Sequence, residues 1–185
     1  MLQFAVSAVL KGNTAPRLLD LRCGIGRLAD IFAQHGWEVC GLDPSAHFAK
    51  AWETIADNHA HCRFVKTDVF SRPPDGLGSF DLVVAFDDSA IELLDPETLS
   101  STLSFVTQSL RPGGYFIFQI ERSTAKGFDR ETIAALSQNN FDAWRASPAS
   151  PRTRILCDVA HVGSRDMFVA HKSIEWDCPR FSSWR

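Results

Sequence analysis

The sequence predicts an α/β protein built on a doubly wound, mostly parallel sheet, and two observations carry this prediction. Short apolar runs alternate along the chain with segments in which apolar residues recur at helical spacing. Several of these runs are almost continuously apolar, which is typical of strands covered on both faces. After about residue 141 the pattern changes to two runs joined by a tight turn. We therefore expect a seven-stranded sheet that an antiparallel C-terminal hairpin closes at one edge.

The predicted strands follow directly from the apolar runs. The parallel ones lie at residues 17–21, 37–43, 62–68, 80–86 and 115–120, and the hairpin at 154–162 and 165–172. The last residues lack a periodic pattern. We expect a single domain over residues 1–175 and a C-terminal tail over residues 176–185.

Apolar stripes predict the helices between the strands. The third helix has an N-cap at Asp95, a proline at its first position, and an end within the Pro-Gly-Gly turn at residues 111–114. A fourth helix is expected to begin at Asp129 and to end near Asn139 or Asn140. The first two stripes are Leu28, Ile31, Phe32 and His35, then Phe48, Ala51, Trp52 and Ile55.

Composition excludes several classes of partner. The net charge is −3 and there is no long basic run, so nucleic acid is not an expected partner. The sequence contains no run of about 18 apolar residues, so no membrane span is predicted. The five cysteines are odd in number and scattered, which indicates reduced thiols and a cytoplasmic location; they are Cys23, Cys40, Cys62, Cys157 and Cys178.

The stretch from Arg17 to Ala46 carries the most specific chemistry. Asp20 and Asp43 end two successive predicted strands, and a glycine turn containing Gly24 and Gly26 lies between them. In open α/β sheets ligands bind at the carboxyl ends of the strands, and an acidic residue after the second strand accepts hydrogen bonds from ribose hydroxyls. Glycines let a ligand approach the backbone closely. The stretch therefore predicts a site for a nucleoside-containing cofactor.

The charge of Asp20 favours one kind of cofactor over another. The segment "GIGRLA" at residues 24–29 matches the dinucleotide-binding pattern, which keeps a nicotinamide-dependent oxidoreductase open as an alternative. However, a carboxylate at Asp20 would repel a pyrophosphate. It suits a cationic ligand, such as one that carries an ammonium and a sulfonium.

These segments resemble the class I S-adenosylmethionine-dependent methyltransferases, which have a Rossmann-like fold. The similar segments are "LLDLRCGIGRL", "GLDPSA", "FVKTDVF", "FDLVVAFDD" and "LRPGGYFIF", in the family's order and over residues 15–172. The resemblance implies S-adenosylmethionine as cofactor and methyl transfer to an O, N, S or C nucleophile. It is strongest for small-molecule methyltransferases, including those fused to tetratricopeptide repeats.

The resemblance also implies roles for individual residues. Asp20 would organise the turn and hold the methionine amino group, and Asp43 would bind the ribose. The other implied cofactor contacts are the backbone of Arg22, Cys23 and Gly24 along the methionine moiety, Gly26 in the same turn, Pro44, Asp68 and Val69 around the adenine, and Ala85 and Phe86 near the transferred methyl.

No residue stands out as a catalytic base, and only some acceptors need one. The candidates are Asp87, Asp88, His161 and His171, of which the two aspartates also fit a solvated loop and the two histidines strand edges. The signature of nucleic-acid base methylation is absent at "FDDS". The segment "HAHC" at residues 59–62 has no second ligand cluster, so no metal is expected.

Arg22 stands where the family has a small residue. Its side chain could leave the pocket, pair with Asp20 or with the cofactor's carboxylate, or fill the methionine pocket. One hypothesis is that Arg22 weakens cofactor binding, because a cation near a sulfonium is unfavourable. A degenerate methyltransferase-like module that acts with a partner therefore remains an alternative. Only 16 residues precede Arg17, so the pocket is expected to be open or completed by a homodimer or a larger multidomain protein.

Overall fold

Parallel strands form the centre of the fold in the computed structural model, which describes residues 6–7, 9–11, 13–69, 74, 76–86, 96–121, 154–162 and 165–173. These strands are β1 (Arg17–Leu21), β2 (Glu38–Asp43), β3 (Cys62–Lys66), β4 (Phe80–Ala85) and β5 (Leu110–Glu121). β1 pairs with β2 and β4, β2 with β3, and β4 with β5, all in parallel. The predicted α/β class with a parallel sheet is confirmed.

Two further strands follow in the chain, β6 (Arg154–Val162) and β7 (Arg165–Ser173). They pair antiparallel with each other, and β7 pairs antiparallel with β5. The order across the sheet is β3-β2-β1-β4-β5-β7-β6. The expected fourth helix and the tail at residues 176–185 lie outside the described residues.

Three helices connect the parallel strands within the described ranges: α1 (Arg27–Gln34), α2 (Ala49–Asn58) and α3 (Pro96–Ser109). In α1 the core side is formed by Ala29, Phe32 and Ala33. The predicted stripe was partly wrong, because Ile31 is 52% exposed and His35 is also exposed. Ala29 and Ala33 are buried in the interface instead.

The connection from α3 to β5 differs from the predicted turn. The helix ends at Ser109 and β5 already begins at Leu110. Phe80 pairs with Leu110 but Leu82 pairs with Tyr115, so between these pairs one residue of β4, Asp81, lies opposite four residues of β5, 111–114. The extra residues form an irregularity, with Gly113 at φ +83°, a value that glycine adopts without steric cost.

The core lies on both faces of the central strands. Leu18, Leu19 and Leu21 of β1 are fully buried, and so are the last four residues of β4, Leu82–Ala85. This explains why these strands are almost continuously apolar in sequence. Two ion pairs lie at the amino ends of the strands. Arg17 pairs with Glu38 at 2.9 Å, and Arg111 pairs with Asp81 at 3.0 Å. The polar groups at the carboxyl end therefore form a separate cluster.

Candidate functional site

Asp20 and Asp43 lie at the carboxyl ends of neighbouring strands. Asp20 aligns with Gly41 in the parallel register of β1 and β2, and Asp43 is the last residue of β2. Both are almost completely buried, with exposures of 4% and 6%. Burial raises the pKa of the nearby Cys23 thiol far above its usual value, and the negative charges of Asp20 and Asp43 raise it further. The structure thus brings both carboxylates to one thiol, which stays protonated.

Asp43 holds the glycine turn in place. Its Oδ2 accepts a hydrogen bond from the Gly24 N–H at 3.0 Å, and its Oδ1 accepts one from the Ser45 N–H at 2.9 Å. The turn is also tied to β2 through the Cys23 N–H, which donates to the Leu42 carbonyl at 3.0 Å. A carboxylate has about four acceptor positions, so Asp43 retains capacity for two hydroxyl groups. Turn-holding is the role that the sequence analysis gave to Asp20.

The turn is open to a ligand at Gly24. Its φ is +55°, and a Cβ built there would meet no atom within 4 Å. A ligand can therefore approach this stretch of backbone directly. Gly26 is different, because a Cβ there would lie 2.8 Å from the Ile55 side chain. Gly26 serves packing at the start of α1, and Gly24 is the glycine that faces open space.

An aromatic pair supports the turn from α2 and β3. The Trp52 Nε1–H donates to the Gly24 carbonyl at 2.8 Å, and the indole stacks on Phe64 at 5.4 Å with an interplanar angle of 5°. From its helical spacing Trp52 was predicted only as part of a core stripe. The signal for its second role is chemical: a buried indole N–H requires an acceptor.

Trp52→Phe is expected to lower the free energy of unfolding by about 0.5–1.5 kcal/mol, because it removes this hydrogen bond but keeps an aromatic ring against Phe64. Urea unfolding measures the change. Trp52→Ala, which also removes the stacking, serves as the comparison and is expected to cost more. Equal stability of Trp52→Phe and the wild type would contradict the assigned hydrogen bond.

Arg22 has a partner that the sequence did not identify. Its Nη2 lies 3.3 Å from Oδ1 of Asp68, which follows the end of β3. Its backbone adopts φ +57°, the left-handed conformation that a small residue or glycine would take more easily. The sequence left a pairing with Asp20 or with a cofactor carboxylate open, and the structure gives Arg22 an ion pair with Asp68 across the sheet edge.

The remaining predicted cofactor residues surround the same edge. Ala85 ends β4 and aligns with Leu21, so the ends of β1 and β4 are adjacent. Ala85 is fully buried, and the half-buried Phe86 packs against the core. Pro44 is half-buried directly after β2, and Val69 is buried after β3.

Of the four predicted catalytic bases, the structure describes only the two histidines, and both lie on the C-terminal strands. Asp87 and Asp88 lie outside the described ranges. His171 in β7 aligns with Tyr115, toward the amino end of β5. His161 in β6 aligns with Asp166, whose partner in β5 is Ile120. β6 is separated from β4 by two strands.

The histidines of "HAHC" have structural partners. His59 Nε2 lies 3.1 Å from Asp30 Oδ1, and His61 Nε2 lies 3.1 Å from the Ala33 carbonyl. Both contacts tie the end of α2 and the following turn to α1. In the described part of the chain, no group of three or more His, Cys, Asp or Glu side chains has the geometry to hold a metal ion.

The Cys62 thiol makes the free energy of unfolding depend on pH in the alkaline range. Burial raises its pKa from 9.0 to about 11. Between pH 9 and 11 the unfolded chain therefore loses the proton first, and the free energy of unfolding falls as pH rises, by at most about 1.4 kcal/mol per pH unit for one group. We expect the difference in unfolding free energy between wild type and Cys62→Ala to shrink across this window in urea titrations. A constant difference from pH 8 to 11 would contradict it.

The fold and the site define this chain as a Rossmann-like α/β protein with acidic residues at the ends of its first two strands. Residues 19–116, more than half of the chain, match the family model described as a methyltransferase domain. The chain belongs to this methyltransferase-domain family, as the sequence analysis predicted.

Individual relatives agree with this family. The putative methyltransferase YqeM of Bacillus subtilis is 27% identical over 147 residues, which cover 78% of this chain and 59% of that protein. A malonyl-[acyl-carrier protein] O-methyltransferase of Enterobacter lignolyticus is 30% identical over 171 residues, which cover 89% of this chain and 60% of that protein. The chain thus spans little more than half the length of these two relatives.

A solved structure extends the agreement to the fold. The S-adenosylmethionine-dependent methyltransferase from Clostridium acetobutylicum superposes with a TM-score of 0.67 at 16% identity. The match covers 92% of this chain and 90% of that one. No helix in the described part of the chain has the length and apolar character needed to cross a membrane.

Proposed function

We propose that this chain binds S-adenosylmethionine at the carboxyl edge of β1 and β2 and transfers its methyl group to a nucleophilic O, N, S or C of a small molecule. The observation that carries this proposal is the pair of buried carboxylates, Asp20 and Asp43, beside a turn that is open at Gly24. Two anions around an open backbone suit a nucleoside that bears positive charge, and they disfavour a pyrophosphate.

The residues present fit the cofactor. Asp43 would accept hydrogen bonds from the ribose hydroxyls with the lone pairs that Gly24 and Ser45 leave available. Asp20 would hold the methionine ammonium, and the backbone of residues 22–24 would line the methionine moiety. Pro44, Asp68 and Val69 would surround the adenine, and Ala85 and Phe86 would lie near the methyl group.

The cofactor supplies an activated methyl group when bound, and the protein's contribution is alignment. The fully buried end of β4 and the half-buried Phe86 would keep water away from the reacting atoms. Asp87 and Asp88 follow Phe86 directly in sequence and are the proposed bases for acceptors that must lose a proton.

A small-molecule acceptor is supported by charge and by one relative. The chain carries a net charge of −3, which disfavours a nucleic-acid substrate. The Enterobacter lignolyticus relative is a malonyl-[acyl-carrier protein] O-methyltransferase. An oxygen nucleophile, such as the carboxylate of an organic acid, is therefore the first class of acceptor to test.

Calorimetric titration with S-adenosylhomocysteine and with NAD⁺ tests the cofactor proposal. We expect one site for S-adenosylhomocysteine and no binding of NAD⁺. Formation of S-adenosylhomocysteine from S-adenosylmethionine with a panel of carboxylic acids, phenols, amines and thiols then tests the acceptor class. Binding of NAD⁺ alone would favour the oxidoreductase alternative.

The Arg22–Asp68 ion pair favours a second candidate, a degenerate module that keeps the fold without the cofactor. Absence of heat with S-adenosylhomocysteine, together with one specific protein recovered on affinity capture, would select this candidate. The free Cys23, Cys40 and Cys62 thiols support a reducing, cytoplasmic location for either function.

We also propose that residues 1–175 form one domain, that the β6–β7 hairpin completes a seven-stranded sheet, and that residues 176–185 are a tail. The antiparallel register of β7 on β5 supports the hairpin. A chain that ends at residue 175 is expected to unfold in one transition at the wild-type temperature. A chain that ends at residue 121 is expected to aggregate, because β5 becomes an open edge. A large loss of stability on removing only residues 176–185 would contradict the proposed boundary.

A further inference from the structure

The Arg22–Asp68 ion pair crosses the edge at which the proposed cofactor binds. Arg22 follows β1 and Asp68 follows β3, while β2 lies between these two strands. Neighbouring strands are about 4.8 Å apart, so the pair bridges roughly 10 Å over the end of β2. The residue that ends β2 is Asp43.

We propose that this ion pair is a latch over the nucleoside end of the site, and that Arg22 thereby sets the affinity for the nucleoside. The inference rests on the proposed function, in which Asp43 takes the ribose and Asp68 and Val69 the adenine. A nucleoside in that position would compete with the guanidinium for the Asp68 carboxylate. Binding therefore requires Arg22 to swing away from Asp68.

The latch is weak enough to open. The Arg22 and Asp68 side chains are 21% and 37% exposed, and the N–O distance is 3.3 Å, which is long for a charge-assisted hydrogen bond. Partly exposed ion pairs of this kind change an equilibrium by about twofold to fivefold and weaken as salt increases.

The affinity for an uncharged nucleoside distinguishes the latch from simple repulsion between Arg22 and a sulfonium. If Arg22 acted only by repelling a sulfonium, removing its charge would improve binding of S-adenosylmethionine and leave neutral nucleosides unaffected. A latch, in contrast, opposes every nucleoside that uses this edge. 5′-Methylthioadenosine has the nucleoside and the sulfur without a charge, and it is therefore the probe.

The experiment is calorimetric titration of wild type, Arg22→Met and Arg27→Met. Arg22→Met keeps an unbranched apolar stem but lacks the guanidinium, so it cannot pair with Asp68. Arg27→Met is the matched control, because Arg27 is exposed at the start of α1 and changes the net charge equally. We expect 5′-methylthioadenosine to bind Arg22→Met about twofold to fivefold more tightly than wild type, with Arg27→Met unchanged.

Ionic strength provides a second measurement on the unaltered protein. Raising salt from 50 to 500 mM is expected to tighten 5′-methylthioadenosine binding to wild type and to leave Arg22→Met constant, because salt screens the latch only where it exists. This series also decides the question if Arg22→Met does not fold.

The outcomes for the latch and for the proposed function are distinct. If wild type and Arg22→Met bind both 5′-methylthioadenosine and S-adenosylhomocysteine with equal affinity at all salt concentrations, the latch is wrong and the cofactor site stands. If no variant binds S-adenosylhomocysteine, the proposed function is wrong and the latch falls with it.

Discussion

Asp43→Asn is expected to weaken S-adenosylhomocysteine binding by about tenfold to a hundredfold and to lower the unfolding temperature. The carboxylate accepts from the Gly24 N–H and the Ser45 N–H with different oxygens, and an amide has only one oxygen. Whichever way the amide turns, its NH₂ group faces a backbone N–H. An unmatched buried donor costs about 1–3 kcal/mol. The same change removes an acceptor for the ribose.

Titration calorimetry and thermal unfolding measure the two effects of Asp43→Asn. Asp57→Asn is the matched control, because Asp57 is an exposed carboxylate on α2 and the charge change is the same. The control is expected to leave both affinity and unfolding temperature within error of wild type. An Asp43→Asn protein with wild-type affinity would show that Asp43 does not organise a binding site.

Gly41→Ala is expected to produce the largest loss of stability. A Cβ at this position in β2 would lie 2.6 Å from Phe64 Cδ1 and 2.8 Å from Cys23 Sγ. Overpacking of this kind costs about 1–3 kcal/mol, which corresponds to a fall of roughly 3–10 °C in the unfolding temperature for a chain of this size. Because Cys23 belongs to the turn, binding of S-adenosylhomocysteine is expected to weaken as well.

A second substitution separates this clash from a general effect of alanine in a strand. Phe64→Leu shortens the side chain that opposes Gly41, so the double variant is expected to be more stable than the sum of the two single effects predicts. Additive losses, measured by urea unfolding, would show that the two side chains do not compete for the same space.

The sequence was sufficient for the architecture of the site but not for its internal bonds. Uninterrupted apolar runs located β1 and β2, and parallel pairing then required Asp20 and Asp43 to lie at one edge. The glycine spacing located the turn for the same reason. Periodicity was less reliable on α1, where Ile31 is exposed and Ala29 and Ala33 are buried, because alanine favours helices at any position and marks a core face only weakly.

The hydrogen-bond and ion-pair partners of the side chains could not be predicted from the sequence, because they depend on distances between segments that are remote in sequence. Arg22 and Asp68 are 46 positions apart, and Trp52 and Gly24 are 28 apart. A pattern of apolar residues shows which face a side chain occupies, but not which atom it meets there. The family resemblance marked Arg22 as unusual, and only the packing of three strand ends gave it a partner.

The most direct test of the central claim is a crystal structure of the chain grown with S-adenosylhomocysteine. The account predicts the ribose hydroxyls within hydrogen-bonding distance of Asp43, the amino group beside Asp20, and Arg22 moved away from Asp68. A nucleoside bound at another surface of the protein, with the Arg22–Asp68 ion pair intact, would contradict it.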